Sequence, residues 1–180
     1  MKKTISVDLD STIFDLLTLW IEFSNIKFNT NYIIEDVLTY NQDFLMNSME
    51  FIDTNLYDDA VPIPNAVLFI DTLKQHYNVQ IVTHTFEGHR ESKLNFIKKY
   101  FGDIKVICTD SCKLESTKDT ILIDDKLEHI TKHIDINKGI GIVYTMDDRL
   151  QYNKTDRKDV VRLGSYSDIV EYLNKINKEA

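Results

Sequence analysis

A chain of 180 residues that is 43% hydrophobic, with 29 acidic against 21 basic residues and a net charge of −8, makes one globular domain carrying at most a modest insertion. The acidic balance argues against a duplex-binding surface, which needs clustered positive charge. No apolar run approaches the ~18 residues of a membrane span. Acidic Asp8 and Asp10 interrupt the apolar run behind Lys2-Lys3 too early for a signal peptide, so the expected location is the cytoplasm. Cys108 and Cys112 form a lone Cys-x-x-x-Cys without further zinc ligands, and read as reduced thiols.

Ile5-Ser6-Val7 is an apolar run with β-branched residues, and predicts a buried strand that leads into Asp8-Leu9-Asp10-Ser11-Thr12. Apolar residues at helical spacing (Phe14, Leu17, Trp20, Ile21) predict a helix over 13–26, followed by a polar loop. Shorter helices are expected over 33–40 and over 43–56, the second with a stripe of Phe44, Leu45, Met49 and Ile52. Residues 57–64 are an acidic break holding both prolines, with Pro64 expected as the first residue of a helix that runs to residue 76.

From there the alternation is regular. A strand over 79–82 ends in Thr83-His84-Thr85, and a helix over 88–100 is capped by Gly102. Strands over 104–108 and 120–123 follow, the second ending in Asp124-Asp125. A helix over 126–133, a strand over 140–144, a short edge strand over 160–163 and a helix over 168–177 capped by Ser167 complete the chain. Strands alternating with helices predict an α/β fold with a doubly wound parallel sheet. The helical stretch after the first strand reads as a small cap, giving a core of residues 1–12 and 60–180 and an insertion of 13–59.

Three strand ends therefore carry polar residues: Asp8 and Asp10, then Thr83, then Asp124 and Asp125. Strands of a parallel sheet that lead into helices end along one edge, so these residues converge. Lys113 precedes the Asp124-Asp125 strand, and Lys93 lies early in the helix after Thr83. Carboxylates hold a hard cation such as Mg²⁺ through oxygen. A hydroxyl and a lysine neutralise phosphate oxygens, one carboxylate attacks phosphorus, and another moves the proton.

With those residues in view, the chain resembles the haloacid dehalogenase superfamily. Asp8-Leu9-Asp10-Ser11-Thr12 is similar to its first motif, Thr83 to its second, Lys113 to its third and Asp124-Asp125 to its fourth, in order. Within it, Val61-Pro62-Ile63-Pro64-Asn65-Ala66, Lys93 with Tyr100-Phe101-Gly102, and Leu122-Ile123-Asp124-Asp125 resemble the 5'(3')-deoxyribonucleotidases. Ser11 stands where those enzymes usually have Gly, and His84 where a small hydroxyl residue usually follows the threonine.

The resemblance implies Asp8 as nucleophile and metal ligand. It implies Asp10 as general acid and then base, with its main-chain carbonyl on the metal. Thr83 and Lys113, with His84 and Lys93 beside them, are implied for phosphate or substrate, and Asp124 and Asp125 for the metal site. The activity implied is Mg²⁺-dependent hydrolysis of (deoxy)nucleoside monophosphates through an aspartyl-phosphate. Another small phosphoester, such as a sugar phosphate or a nucleic-acid end, is the alternative substrate, and a binding module without turnover the alternative class. Trp20, Phe23, Tyr32, Tyr40 and Phe44 read as core of the insertion, with Phe14 and Leu16 near the mouth where a nucleobase can stack. An exposed apolar face on the insertion would permit a homodimer.

Overall fold

The computed structural model describes residues 2–39, 41–48, 54–110, 113–145 and 155–178. Met49, Ile52, Tyr40 and Cys112, singled out above, lie outside the described residues. Six strands form one parallel sheet in the order β3-β2-β1-β4-β5-β6. They are β1 (Thr4–Val7), β2 (Asn78–His84), β3 (Lys105–Thr109), β4 (Thr120–Asp124), β5 (Ile140–Tyr144) and β6 (Val161–Leu163). The helices are α1 (Leu16–Phe28), α2 (Ile34–Leu38), α3 (Gln42–Ser48), α4 (Ala66–His76), α5 (Arg90–Phe101), α6 (Leu127–Lys132) and α7 (Tyr166–Lys178). This is the doubly wound architecture that the alternation predicts. Among the described residues, no helix is long and apolar enough to cross a membrane.

Period-two alternation sorts the strand residues between two faces. Ile5, Val7, Ile81, Ile121, Ile123 and Ile142 join the large core with Phe69, Ile70 and Leu73 of α4, Phe96 and Ile97 of α5, and Ile169 and Leu173 of α7. Leu122 and Val143 point the other way, into a smaller cluster with Ile130 of α6. Their polar neighbours on that face are linked side by side. The Gln80 amide donates to Ser6 Oγ at 2.9 Å, and Ser6 Oγ donates to Thr120 Oγ1 at 3.0 Å. Gln80 also reaches the Ser116 carbonyl at 3.1 Å, which ties the loop carrying Lys113 to the sheet.

Helix α6 widens into one π-helical turn over His133–Asn137 before β5, so the helical segment runs past the end at residue 133 that the sequence predicts. Glycine permits the close packing that follows. A Cβ at Gly141 would stand 2.6 Å from Ile130 Cγ2 and 3.3 Å from the Ile134 side chain. Gly141→Ala is expected to cost about 1–3 kcal/mol, seen as a lowered denaturant midpoint. An unchanged midpoint would show that α6 slides aside freely.

Several boundaries differ from expectation for local reasons. Helix α1 begins at Leu16 rather than residue 13, because Asp15 caps it by accepting from Thr18 N at 3.1 Å. Ile13 and Phe14 instead fold into a tight turn on the Leu9 carbonyl, which accepts from the amides of Thr12, Ile13 and Phe14. Phe14 is therefore a core residue, its ring tilted against Tyr57 at 5.0 Å and against Phe96 at 5.2 Å, and is not at the mouth. Pro64 does not open α4, because Asn65 intervenes in a left-handed conformation at φ 69°. Ser165, not Ser167, accepts the Asp168 amide at 3.1 Å at the start of α7.

The helical stretch after β1 has its own small aromatic cluster, with Phe44 4.9 Å from Trp20 and 5.2 Å from Tyr32. Ile63 N donates to the Ile13 carbonyl at 3.1 Å, closing the base where the chain leaves and returns. Ile26, Ile33 and Met46 are exposed on its outside. Cys108 is a free thiol.

Candidate active site

Strand β1 is flanked by β2 and β4, with Val7 in register with both Ile81 and Ile123. Thr83 and Asp124 therefore stand on either side of the chain as it leaves β1. The Asp8 amide extends the pairing to the Ile123 carbonyl at 2.9 Å, after which the turn on Leu9 redirects the backbone. Ser11 sits in that turn at φ 58°, a left-handed conformation that explains why glycine suits the position. Tyr166 fixes the far side of the turn by donating to the Thr12 carbonyl at 2.8 Å, while its ring stacks on Phe69 at 4.5 Å and on Tyr144 at 4.9 Å.

Because the turn breaks strand geometry, the Asp8 and Asp10 carboxylates meet different partners. Asp8 belongs to a buried acidic cluster with Asp124 and Asp125, whose oxygens lie within 4.8 Å of one another. Lys113 reaches into that cluster, 2.6 Å from Asp8 Oδ1 and 2.8 Å from Asp124 Oδ2. Asp124 is held further by the Lys126 amide on Oδ1 at 2.8 Å and by His129 Nδ1 on Oδ2 at 2.9 Å. Asp10 is held instead by Lys93 Nζ on Oδ2 at 2.8 Å and by the Tyr57 hydroxyl on Oδ1 at 2.6 Å. The same ammonium reaches Thr83 Oγ1 at 3.2 Å and the His84 carbonyl at 2.7 Å.

The electrostatics follow from burial and charge count. Burial, with Asp124 and Asp10 as like-charged neighbours, raises the Asp8 pKa to about 6 even though Lys113 pulls it down. Burial, then Asp124 and Asp8, also push Asp125 well above the ordinary carboxylate range. Burial would raise Asp124 as well, but Lys113 and His129 outweigh it and hold that carboxyl low. The desolvation that would lower Lys113 is likewise outweighed by Asp124 and Asp8, and the ammonium is stabilised. Three carboxylates facing one lysine leave an excess of buried negative charge, and an oxygen-lined cluster of that kind fits a hard divalent cation.

Seven of the residues singled out from the sequence thus lie in two adjoining groups: Asp8, Lys113, Asp124 and Asp125 in one, and Asp10, Thr83 and Lys93 in the other. The Asp10 carboxylate is outside the acidic cluster. The His84 ring lies 3.2 Å from the Asp110 carbonyl and edge-on to Phe86 at 5.1 Å, so what His84 gives the Lys93 group is its main-chain carbonyl. Two contributors carried no sequence signal. Tyr57 sits in the acidic break, 47 positions from Asp10. His129 is five positions after Asp124, and reaches back to it from the first turn of α6.

No protein-family model matches the sequence, and no curated protein matches it. Solved structures do. The chain superposes on a protein named as a HAD-hydrolase, YfnB of Bacillus subtilis, solved with magnesium bound, with a TM-score of 0.65 at 14% identity over 96% of this chain and 99% of that one. A haloacid dehalogenase-like hydrolase from Xanthomonas campestris gives 0.64 at 12% identity, covering 99% and 97%. The L-2-haloacid dehalogenase PA0810 gives 0.61 at 12% identity, covering 96% and 100%. The fold is therefore that of the HAD hydrolases. A fold that also serves a dehalogenase does not by itself choose a reaction.

Proposed function

We propose that this chain is a Mg²⁺-dependent phosphomonoesterase acting on (deoxy)nucleoside monophosphates through an aspartyl-phosphate. The observation that carries the reading is the division of labour between two carboxylates two residues apart. Asp8 sits in the acidic cluster with Lys113, and Asp10 stands apart with Lys93 and Thr83. A nucleophile and a proton-transfer group need such different surroundings. Asp10 also favours phosphate-ester over carbon–halogen cleavage, since a departing halide needs no proton.

In this reading an Asp8 carboxylate oxygen attacks phosphorus and the bond to the ester oxygen breaks. Asp10 supplies the proton that the leaving oxygen takes up, and becomes a carboxylate. It then removes a proton from water, which attacks the phosphoryl group and returns Asp8 as a free carboxylate with release of phosphate. Lys113 neutralises charge beside Asp8, and Thr83 and Lys93 offer a hydroxyl and an ammonium on the Asp10 side. Asp8, Asp124 and Asp125, with the Asp10 main-chain carbonyl, would hold Mg²⁺, which when bound offsets charge on the phosphoryl oxygens. The nucleotide preference is supported by the segments resembling deoxyribonucleotidases, and by half-exposed Phe86 beside His84 at the end of β2.

The test is phosphate release from a panel of ribo- and deoxyribonucleoside monophosphates, with Mg²⁺ and with chelator. Metal-dependent release from nucleotides supports the reading. Release from aryl or sugar phosphates alone would keep the chemistry and remove the nucleotide assignment.

A pH effect follows from the raised carboxyls. The folded Asp8 pKa of about 6 lies above the unfolded 3.8, so through Asp8 the metal-free protein loses stability as pH rises from about 4 to about 6, and the raised Asp125 acts in the same direction. A bound cation removes that cost. The stabilisation by added Mg²⁺, read as a rise in melting temperature, is expected to be small near pH 5 and to grow through about pH 7, reaching about 2.7 kcal/mol at a hundredfold excess over Kd. A pH-independent shift would place the cation elsewhere.

A further inference from the structure

Tyr57 is the largest fully buried side chain among the described residues, 1% exposed, yet it lies in an irregular stretch between α3 and α4. Its ring is fixed on several sides. Phe14 packs at 5.0 Å, Phe96 at 6.0 Å and His89 at 5.8 Å, and the Lys93 ammonium lies 5.0 Å from the ring centroid. These contacts come from the turn after β1, from α5 and from the 3-10 turn before it, so the phenol is located by three separate parts of the fold. Its hydroxyl donates to Asp10 Oδ1 at 2.6 Å, a short hydrogen bond.

Lys93 and Thr83 approach the other oxygen of Asp10, at 2.8 and 3.4 Å. Were phosphate to draw those two groups toward itself, Tyr57 would be the remaining side-chain partner of the carboxyl among the described residues. From these contacts we infer that Tyr57 is a positioning residue for Asp10, aligning its carboxyl for proton transfer to the leaving oxygen. The inference rests on the phosphatase reading and adds to it a residue from outside the sequence motifs.

Alignment of the acid matters in proportion to how much the leaving group needs a proton. Nitrophenolate leaves readily without one, whereas the alkoxide of a sugar or nucleoside does not. Tyr57→Phe removes only the hydroxyl and keeps the ring in its aromatic surroundings. In the phosphorylation step, read by rapid-quench single turnover, the variant is expected to lose about 30-fold on an alkyl or nucleoside phosphate, but no more than about threefold on p-nitrophenyl phosphate, with binding little changed. In an Asp10→Asn background the same substitution should add nothing, because the group it orients is already gone.

Equal losses in the phosphorylation step on both substrates, or a full additional loss in the Asp10→Asn background, would overturn the inference and leave Tyr57 as packing. Should Tyr57→Phe fail to fold, 3-fluorotyrosine incorporated at position 57 keeps ring and hydroxyl. Its fluorine resonance should then move on Asp10→Asn, and a resonance indifferent to that change would overturn the inference. A wild-type protein without phosphatase activity on any substrate would remove the phosphatase reading and this inference together, an outcome distinct from an active enzyme with uniform Tyr57→Phe losses.

Discussion

Asp8→Asn is expected to abolish phosphate release while making the metal-free protein more stable. The activity loss should reach about 10⁴-fold or more, since the attacking group itself is removed. The stability gain comes from the same position. Ionised Asp8 is buried beside Asp124 and Asp10, and burial with those like charges lifts its pKa to about 6. At neutral pH its charge is therefore a net cost to folding, on the order of 1–3 kcal/mol. A neutral isostere avoids that cost, and Lys113 still keeps Asp124 at 2.8 Å. The melting temperature under chelation should rise by several degrees, a trade of stability for function typical of strained active sites. A melting temperature that falls would mean that the Asp8–Lys113 ion pair outweighs burial.

Lys113→Ala should do the reverse in stability. The ammonium is 4% exposed and serves two carboxylates, of which Asp124 is fully buried. Removing it leaves Asp8, Asp124 and Asp125 together with no lysine between them, at a cost of about 3–5 kcal/mol. Phosphate release should fall about 10²- to 10³-fold, the range expected when one charge-stabilising donor is lost. Added Mg²⁺ should recover part of the stability, because a divalent cation replaces the missing positive charge, but not the activity. The check is a denaturation series on the variant with Mg²⁺ and with chelator, and equal midpoints in the two would argue against a cation in this cluster.

The parts of this protein legible in its sequence are those set by repeating patterns. All six strands lie within a residue or two of expectation, because β-branched apolar runs ended by polar residues leave little choice of state. The order of polar strand ends was enough to bring Asp8, Thr83 and Asp124 to one edge, since a parallel sheet permits no other arrangement. Lys113, which the spacing to the Asp124-Asp125 strand singles out, stands against Asp8 and Asp124.

What was hidden depends on single backbone conformations or on contacts distant in sequence. The left-handed Asn65 displaces Pro64 from the helix start, and the tight turn on Leu9 buries Phe14 and sends Asp10 away from Asp8's partners. Tyr57 reaches Asp10 across 47 positions from a stretch with no periodicity, and its role follows from tertiary packing alone. His129 carried no signal because one histidine on a short helix is indistinguishable by pattern from a solvated one.

The central claim is covalent chemistry at Asp8, and trapping the phosphorylated protein tests it most directly. Asp10→Asn should still be phosphorylated by p-nitrophenyl phosphate, whose leaving group needs little help, but should release the phosphoryl group slowly for want of a base. Acid quenching during turnover, followed by peptide mass analysis, should then find the phosphoryl increment on the peptide containing Asp8. An active wild-type enzyme whose Asp10→Asn variant accumulates no adduct, or carries it on another residue, would contradict the account.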